Sequence, residues 1–180
     1  ALLALARFES GQEAPQVDPL DLAALLRQLA GSGGDEWEAG RLRLLLPVEA
    51  WVVCDAGMLE RIATNLLLNA IQAFPQSGGG SAGTITVTTG CDSLTPHESG
   101  VLSVSDSGPG IPVEIQHRVF DPFFTTRKEG TGLGLSIVQR IVDGMNGTLT
   151  MNSSETGTTF RVFLPLAEAE KRSLEGEVWE

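Results

Sequence analysis

The sequence is short of cysteine, histidine and positive charge, and each shortage removes a class of function. Two cysteines, Cys54 and Cys91, occur in 180 residues. They show no C-x-x-C spacing, which argues against a zinc site or a redox pair. They read as two buried thiols in a reducing compartment. The 12 Lys and Arg are outnumbered by 23 Asp and Glu, giving a formal net charge of −11, so no basic face is expected for nucleic acid. No apolar run approaches the ~20 residues of a membrane span, and no signal peptide is apparent. The expectation is a soluble, cytoplasmic chain, with any membrane anchor confined to a longer parent. Of the two histidines, His97 lies in a polar loop and His117 in a short helix. Neither has the flanking elements a ligand or base requires, and both read as structural or surface residues.

What is present describes one ordinary domain with its own core: 42% hydrophobic residues and a mean hydropathy of +0.07. Residues 1–9, ALLALARFE, read as the end of an amphipathic helix that starts without a cap, which suggests a piece of something larger. Residues 11–19, with Pro15 and Pro19, read as a connector. Residues 21–30 form a helix with Leu22, Leu25, Leu26 and Leu29 on one face, broken by 31–34. Residues 41–46 and 50–53 read as a pair of strands around Pro47. Residues 55–74 form the longest helix, ended by Pro75 and the glycine-rich stretch 78–83. Strands follow at 84–89 and 101–105, then a helix at 132–146 and a closing hairpin of 148–152 with 158–164. The tail from Ala167 is charged. Strands outnumber helices and short loops join neighbours, so the expected class is α+β, with helices on one face of a mixed sheet.

Four strings carry chemistry. Gly130-Thr-Gly-Leu-Gly-Leu135 precedes a helix in which Ile137, Val138, Ile141, Val142 and Met145 recur at helical spacing. Glycines there admit close approach to bare helix N–H groups, whose dipole favours a phosphate. On the helix 55–74, Asn65, Asn69 and Gln72 share a face, opposite Leu59, Ala63, Leu66, Ala70 and Phe74. That stripe fits either a solvated polar face or a hard cation such as Mg²⁺ held by the Asn69 carbonyl oxygen, with Asn65 beside it. Asp106-Ser-Gly-Pro-Gly-Ile111 follows a strand and contains every turn residue. It fits a plain turn, or a carboxylate accepting the exocyclic amine of adenine, with Gly108 and Gly110 clearing room for a flat base. In 112–129, Phe120, Phe123 and Phe124 are expected to pin a loop to the core. Beyond them, 125–129 is placed to act as a lid. Arg127 and Lys128 are either an exposed basic pair or the local cations for a terminal phosphate. Gly157-Thr158-Thr159-Phe160 reads first as a hairpin turn.

Taken together these residues resemble the catalytic, ATP-binding domain of bacterial sensor histidine kinases, in the fold family shared with gyrase, Hsp90 and MutL. NLLLNAIQA resembles its N box, DSGPGI its G1 box, FDPFFTT its F box, GTGLGLSIV its G2 box and GTTF its terminal glycine motif. The spelling FDPFFTT…GTGLGL is similar to the nitrogen-regulation-type kinases. The resemblance runs from about Val17 to Leu166 and implies three parts: 1–13 as the remnant of a dimerisation helix and linker, 14–166 as the catalytic domain, and 167–180 as a tail. It implies a two-layer α/β sandwich with a mixed, mostly antiparallel sheet, the Bergerat-type ATP-binding fold. It assigns Mg²⁺ to Asn69, adenine to Asp106 with Gly108 and Gly110, and the phosphates to the N–H groups of Thr131, Gly132, Leu133 and Gly134. Asn65, Arg127 and Lys128 would act in γ-phosphoryl transfer. Gln72, Ile111, Thr126, Leu135 and Thr158 complete the expected ATP-contacting set.

No H-E-x-x-N-P string occurs, so the phosphoacceptor histidine of such kinases is missing. The implied function is ATP–Mg²⁺ binding and transfer to a histidine on a separate dimerisation module, with a response regulator downstream, by a chain that is itself monomeric. The alternatives within the fold family are an ATPase, a serine kinase or a nucleotide-gated binding module. The ATPases and serine kinases place Glu as a general base four residues before the metal Asn. Here that place holds Asn65, whose amide takes no proton near neutral pH.

Overall fold

Alternating burial along three neighbouring strands builds the floor of the molecule. The computed structural model describes residues 16–32, 42–46, 50–74, 83–92, 98–127 and 130–167. In β4 (Ile85–Asp92), Ile85, Val87 and Thr89 are buried while Thr86 and Thr88 are half-buried. In β5 (Ser99–Asp106), Gly100, Leu102 and Val104 point inward, and in β7 (Gly157–Pro165) Thr158, Phe160, Val162 and Leu164 do so. With β2 (Leu42–Leu45) and β6 (Thr148–Ser154), these form a five-stranded sheet in the order β2-β4-β5-β7-β6, parallel at β2–β4 and antiparallel elsewhere. The α+β expectation, a mixed and mostly antiparallel sheet, is met.

Two helices cover the inward face. Helix α2 (Ala56–Gln72) buries Leu59, Ile62, Ala63, Leu66, Leu67 and Ala70. Asp55 caps it, its Oδ1 accepting the Met58 N–H at 3.0 Å, and so satisfies one of the donors a helix start leaves open. Helix α4 (Gly134–Gly144) buries Ser136, Val138, Ile141 and Val142 and packs along α2. Leu66 is fully buried in the shared core. Leu66→Ala is therefore expected to lower stability by about 2–5 kcal/mol, from lost transfer energy plus the cavity left behind. Denaturant unfolding measures this directly.

A second, two-stranded sheet pairs β1 (Asp18–Asp21) antiparallel with β3 (Trp51–Cys54). It is tied to the end of the main sheet by the Val52–Leu166 bridge and by the Ala167 N–H on the Trp51 carbonyl at 2.9 Å. Helix α1 (Leu22–Ser32) follows β1 and buries Leu22, Ala23 and Leu26. A fourth helix, α3 (Val113–Gln116), is a single turn.

Several expectations are corrected. Strands form in both expected segments, at Leu42–Leu45 and Trp51–Cys54, but do not pair with each other: β2 joins β4 in parallel and β3 joins β1. A parallel pair needs a long crossover, which β3 and α2 provide. Asp18 and Pro19, expected as connector, and Asp21, expected to open the helix, lie in β1, where a two-stranded ribbon tolerates the donor missing at Pro19. Gly31 does not stop α1, since one glycine costs about 1 kcal/mol against alanine and that is too little to end a packed helix. Helix α4 begins at Gly134, not at residue 132, because Gly132 has φ +67. Cys54 is buried, its thiol pushed up to about 12 mainly by burial and further by Asp55, whereas Cys91 is only half-buried. The readings for residues 1–9, Pro47, 78–82, His97, Lys128 and 168–180 fall outside the described residues. Among the described residues no helix is long and apolar enough to cross a membrane.

Candidate functional site

Strand parity aims Asp106 into a cavity. It ends β5 with the same inward orientation as Leu102 and Val104, in register with Ile85 and Thr158 on either side. At that position the apolar core gives out, and a cleft of about 630 Å³ opens between α2, the sheet end, the 109–127 segment and the start of α4. Burial pushes the Asp106 carboxyl up from its ordinary value, opposed by the backbone N–H groups of Gly108 and Thr158. The Gly108 N–H lies 2.8 Å from Oδ1.

The amide stripe of α2 forms one wall, with Asn65, Asn69 and Gln72 all lining the cleft. Asn65 Nδ2 donates to the Arg61 carbonyl at 2.8 Å, and Asn69 Nδ2 to the Asn65 carbonyl at 3.0 Å. These bonds engage the nitrogen of each amide and leave each Oδ1 as the side chain's acceptor. Among the described residues no three His, Cys, Asp or Glu side chains group into a metal cage. An amide oxygen is a hard donor, of the kind taken by a cation that needs only one or two protein oxygens.

Thr131, Gly132, Leu133, Gly134 and Leu135 line the cleft next to this stripe, at the start of α4. No side chain caps this helix, so its first-turn donors stay available to a ligand. Gly134 packs against the stripe, and a Cβ there would lie 3.2 Å from Asn65 Oδ1. Gly132 must be glycine on two counts: its φ is +67, and a Cβ would fall 2.4 Å from the Phe123 carbonyl carbon. That close approach is sealed by the Phe123 N–H on the Gly132 carbonyl at 2.9 Å.

The clasp changes the expected role of the phenylalanines. Phe120 packs edge-on against Phe160 with centroids 6.4 Å apart, and Phe124 carries the Arg118 guanidinium 4.5 Å from its ring centre. Phe123, held at φ +66 with its backbone against Gly132, turns its ring outward and is 75% exposed. It does not pin the loop to the core.

Ile111, Gly110, Thr126, Arg127 and Thr158 also line the cleft, so every expected site residue among those described does so except Gly108. Gly108 sits beside it, against Ala73 and the Asp106 carboxylate. Gly110, at φ +71, is required by the chain itself: a Cβ would lie 1.8 Å from the Ser154 carbonyl oxygen, whatever occupies the cleft. His117 is exposed and stands outside the lining. Residues not anticipated are mostly apolar: Leu68, Ala73, Ile115, Val119, Ile137 and Phe160. Their spacing reads as ordinary core; Leu68, Ala73, Ile137 and Phe160 fall within strings singled out above, NLLLNAIQA, GTGLGLSIV and GTTF, and no string marks them as lining. The cleft thus has an apolar part with one carboxylate, Asp106, and a polar part with three amides, loop donors and one described cation, Arg127.

Comparison with known proteins agrees with this chemistry. Residues 54–168 match the family of histidine kinase-, DNA gyrase B- and HSP90-like ATPases. The sensor kinase CckA of Brucella abortus (strain 2308) is 37% identical over 163 residues, which is 85% of this chain and 17% of that protein. The sensory histidine kinase/phosphatase NtrB of Vibrio alginolyticus is 34% identical over 125 residues, 64% of this chain and 34% of that protein. The crystal structure of full-length ShkA in complex with AMPPNP superposes with a TM-score of 0.73 at 27% identity, covering 92% of this chain and 34% of that one. The chain therefore spans about a third or less of these relatives. On the family match, these relatives and this fold, the chain belongs to the histidine kinase-, DNA gyrase B- and HSP90-like ATPases, and within them to the ATP-binding catalytic modules of sensor histidine kinases.

Proposed function

We propose that this module binds ATP with Mg²⁺ and transfers the γ-phosphoryl group to a histidine on a dimerisation module of the same parent protein, for relay to a response regulator. The observation that carries the reading is the convergence of Asn69, Asp106 and the 131–135 donors, from three distant stretches of chain, on one cleft. Asp106 accepts the exocyclic amine of adenine and repels the carbonyl that guanine presents there. The N–H groups at the start of α4 and its dipole take up the phosphates. Asn69 is the protein ligand for Mg²⁺, with Asn65 alongside; the ion, when bound, supplies charge neutralisation between the phosphates. Arg127 and Lys128 steady the terminal phosphate.

Phosphoryl transfer asks mainly for position and charge. The bond from the γ-phosphorus to the bridging oxygen breaks as an imidazole nitrogen bonds to phosphorus, and ADP leaves. Asn65 stands where hydrolytic relatives need a proton acceptor, so water is left unactivated. As an ATP-dependent module the chain works in the cytoplasm, and by itself it is a monomer.

Incubating the chain with ATP and Mg²⁺ alone should yield neither self-phosphorylation nor rapid phosphate release. Adding a separate histidine-bearing dimerisation module should yield acid-labile phosphohistidine on that module. Brisk phosphate release by the chain alone would favour an ATPase instead.

A further inference from the structure

The one described cation of the cleft is tied in place by the chain itself. The backbone of Arg127 is held on both sides: its N–H donates to Thr125 Oγ1 at 3.1 Å, and its carbonyl accepts the Gly130 N–H at 3.3 Å. Its side chain crosses to the last turn of α2. There Nη1 donates to Gln72 Oε1 and Nη2 to the Asn69 backbone carbonyl at 3.5 Å. A helix C-terminus, with its partial negative charge, is a favourable seat for a cation.

We propose that Gln72 is a positioning residue: its amide oxygen holds the Arg127 guanidinium on α2, next to Asn69, so that the 124–127 loop presents a fixed cation to the terminal phosphate of the nucleotide. The proposal rests on the ATP reading above. A guanidinium carries five N–H donors in a rigid fork. Two of them face α2, which leaves three for an anion. A neutral partner suits this task, since it orients the fork without cancelling its charge. Because the long side chain is ordered on folding, little of its freedom is left to lose on binding. Gln72 is exposed and lies outside the core, so packing gives no competing account of its place.

The test compares the affinities of the whole chain for ATP and ADP by calorimetry with Mg²⁺ present, for wild type, Gln72→Leu, Arg127→Met and the double variant. Losing one neutral acceptor should lower the ATP-over-ADP ratio roughly three- to tenfold in Gln72→Leu, with ADP affinity changed by no more than about twofold. Arg127→Met should lower the ratio at least as far. The double variant should fall no further than Arg127→Met, because the two side chains act as one unit. An unchanged ratio in Gln72→Leu, equal weakening of ATP and ADP, or additive losses in the double variant would each overturn the assignment. Absence of nucleotide binding by the wild-type chain would instead sink the ATP reading, and this inference with it.

Discussion

Asp106→Asn should keep the fold and lose most of the preference for adenine. A hydrogen bond to a charged acceptor contributes about 1.5–3 kcal/mol, so ATP affinity should fall on the order of 10- to 100-fold. The ATP-over-GTP ratio should fall with it, because an asparagine whose oxygen stays on the Gly108 N–H turns its NH₂ to the base, against adenine's amine and toward guanine's carbonyl. The same substitution should slightly raise stability at neutral pH. The folded-state carboxyl is raised by burial, so ionisation is harder in the folded protein than in the unfolded chain. That penalty is fully present above the folded-state value and disappears as pH falls through it toward the unfolded value. Asparagine never incurs the penalty, and its oxygen still accepts the Gly108 N–H. Titration with ATP and GTP, alongside thermal unfolding at pH 7 and pH 4, checks both parts. Unchanged nucleotide affinity would remove Asp106 from base recognition, and a destabilised variant would make its role structural.

Asn69→Ala should separate metal dependence from folding. Its side-chain nitrogen is committed to the Asn65 carbonyl at 3.0 Å, and its oxygen is the atom left for a ligand. Alanine is the better helix former by several tenths of a kcal/mol, which offsets the lost bond. Stability is therefore expected to stay within about 1 kcal/mol of wild type. Mg²⁺-dependent enhancement of ATP binding should be lost, and histidine phosphorylation in trans should drop by at least about a hundredfold if the ion neutralises charge during transfer. Metal-free ATP binding, which draws on Asp106 and the start of α4, should be nearly unaltered. A variant that keeps its full response to Mg²⁺ would exclude Asn69 as the ligand.

Both substitutions act where local chemistry departs from what folding alone would choose. A half-buried carboxylate at a strand end and an amide stripe on an apolar helix are each worse for stability than apolar or small replacements. The glycines divide differently. Gly132 and Gly110 are demanded by backbone contacts to Phe123 and Ser154, so substitutions there would confound folding with function. Gln72 and Arg127, both exposed, offer the cleaner handle on the polar end of the cleft.

Residue order alone determined the parts of this protein that depend on short-range pattern. The period-two burial of 84–89 and the period-3.6 faces of 55–74 and 132–146 led to an α+β layer and to the face shared by Asn65, Asn69 and Gln72, while the choice of a site over a plain turn or solvated face came from the resemblance of the strings to a known family. Spacing carries that information because a side chain's face follows from its position within its own element. Pairing is not local, and the tertiary structure decided it. Residues 41–46 and 50–53 look alike as strands, yet one enters the main sheet in parallel and the other makes a ribbon with 18–21, a choice set by what each can bury. Only the assembled chain turned Phe123 outward, brought Ile115 and Val119 to the cleft wall, and laid Arg127 across to Gln72. Those contacts join residues up to 55 positions apart, and they are settled by backbone close approach and by where the core ends.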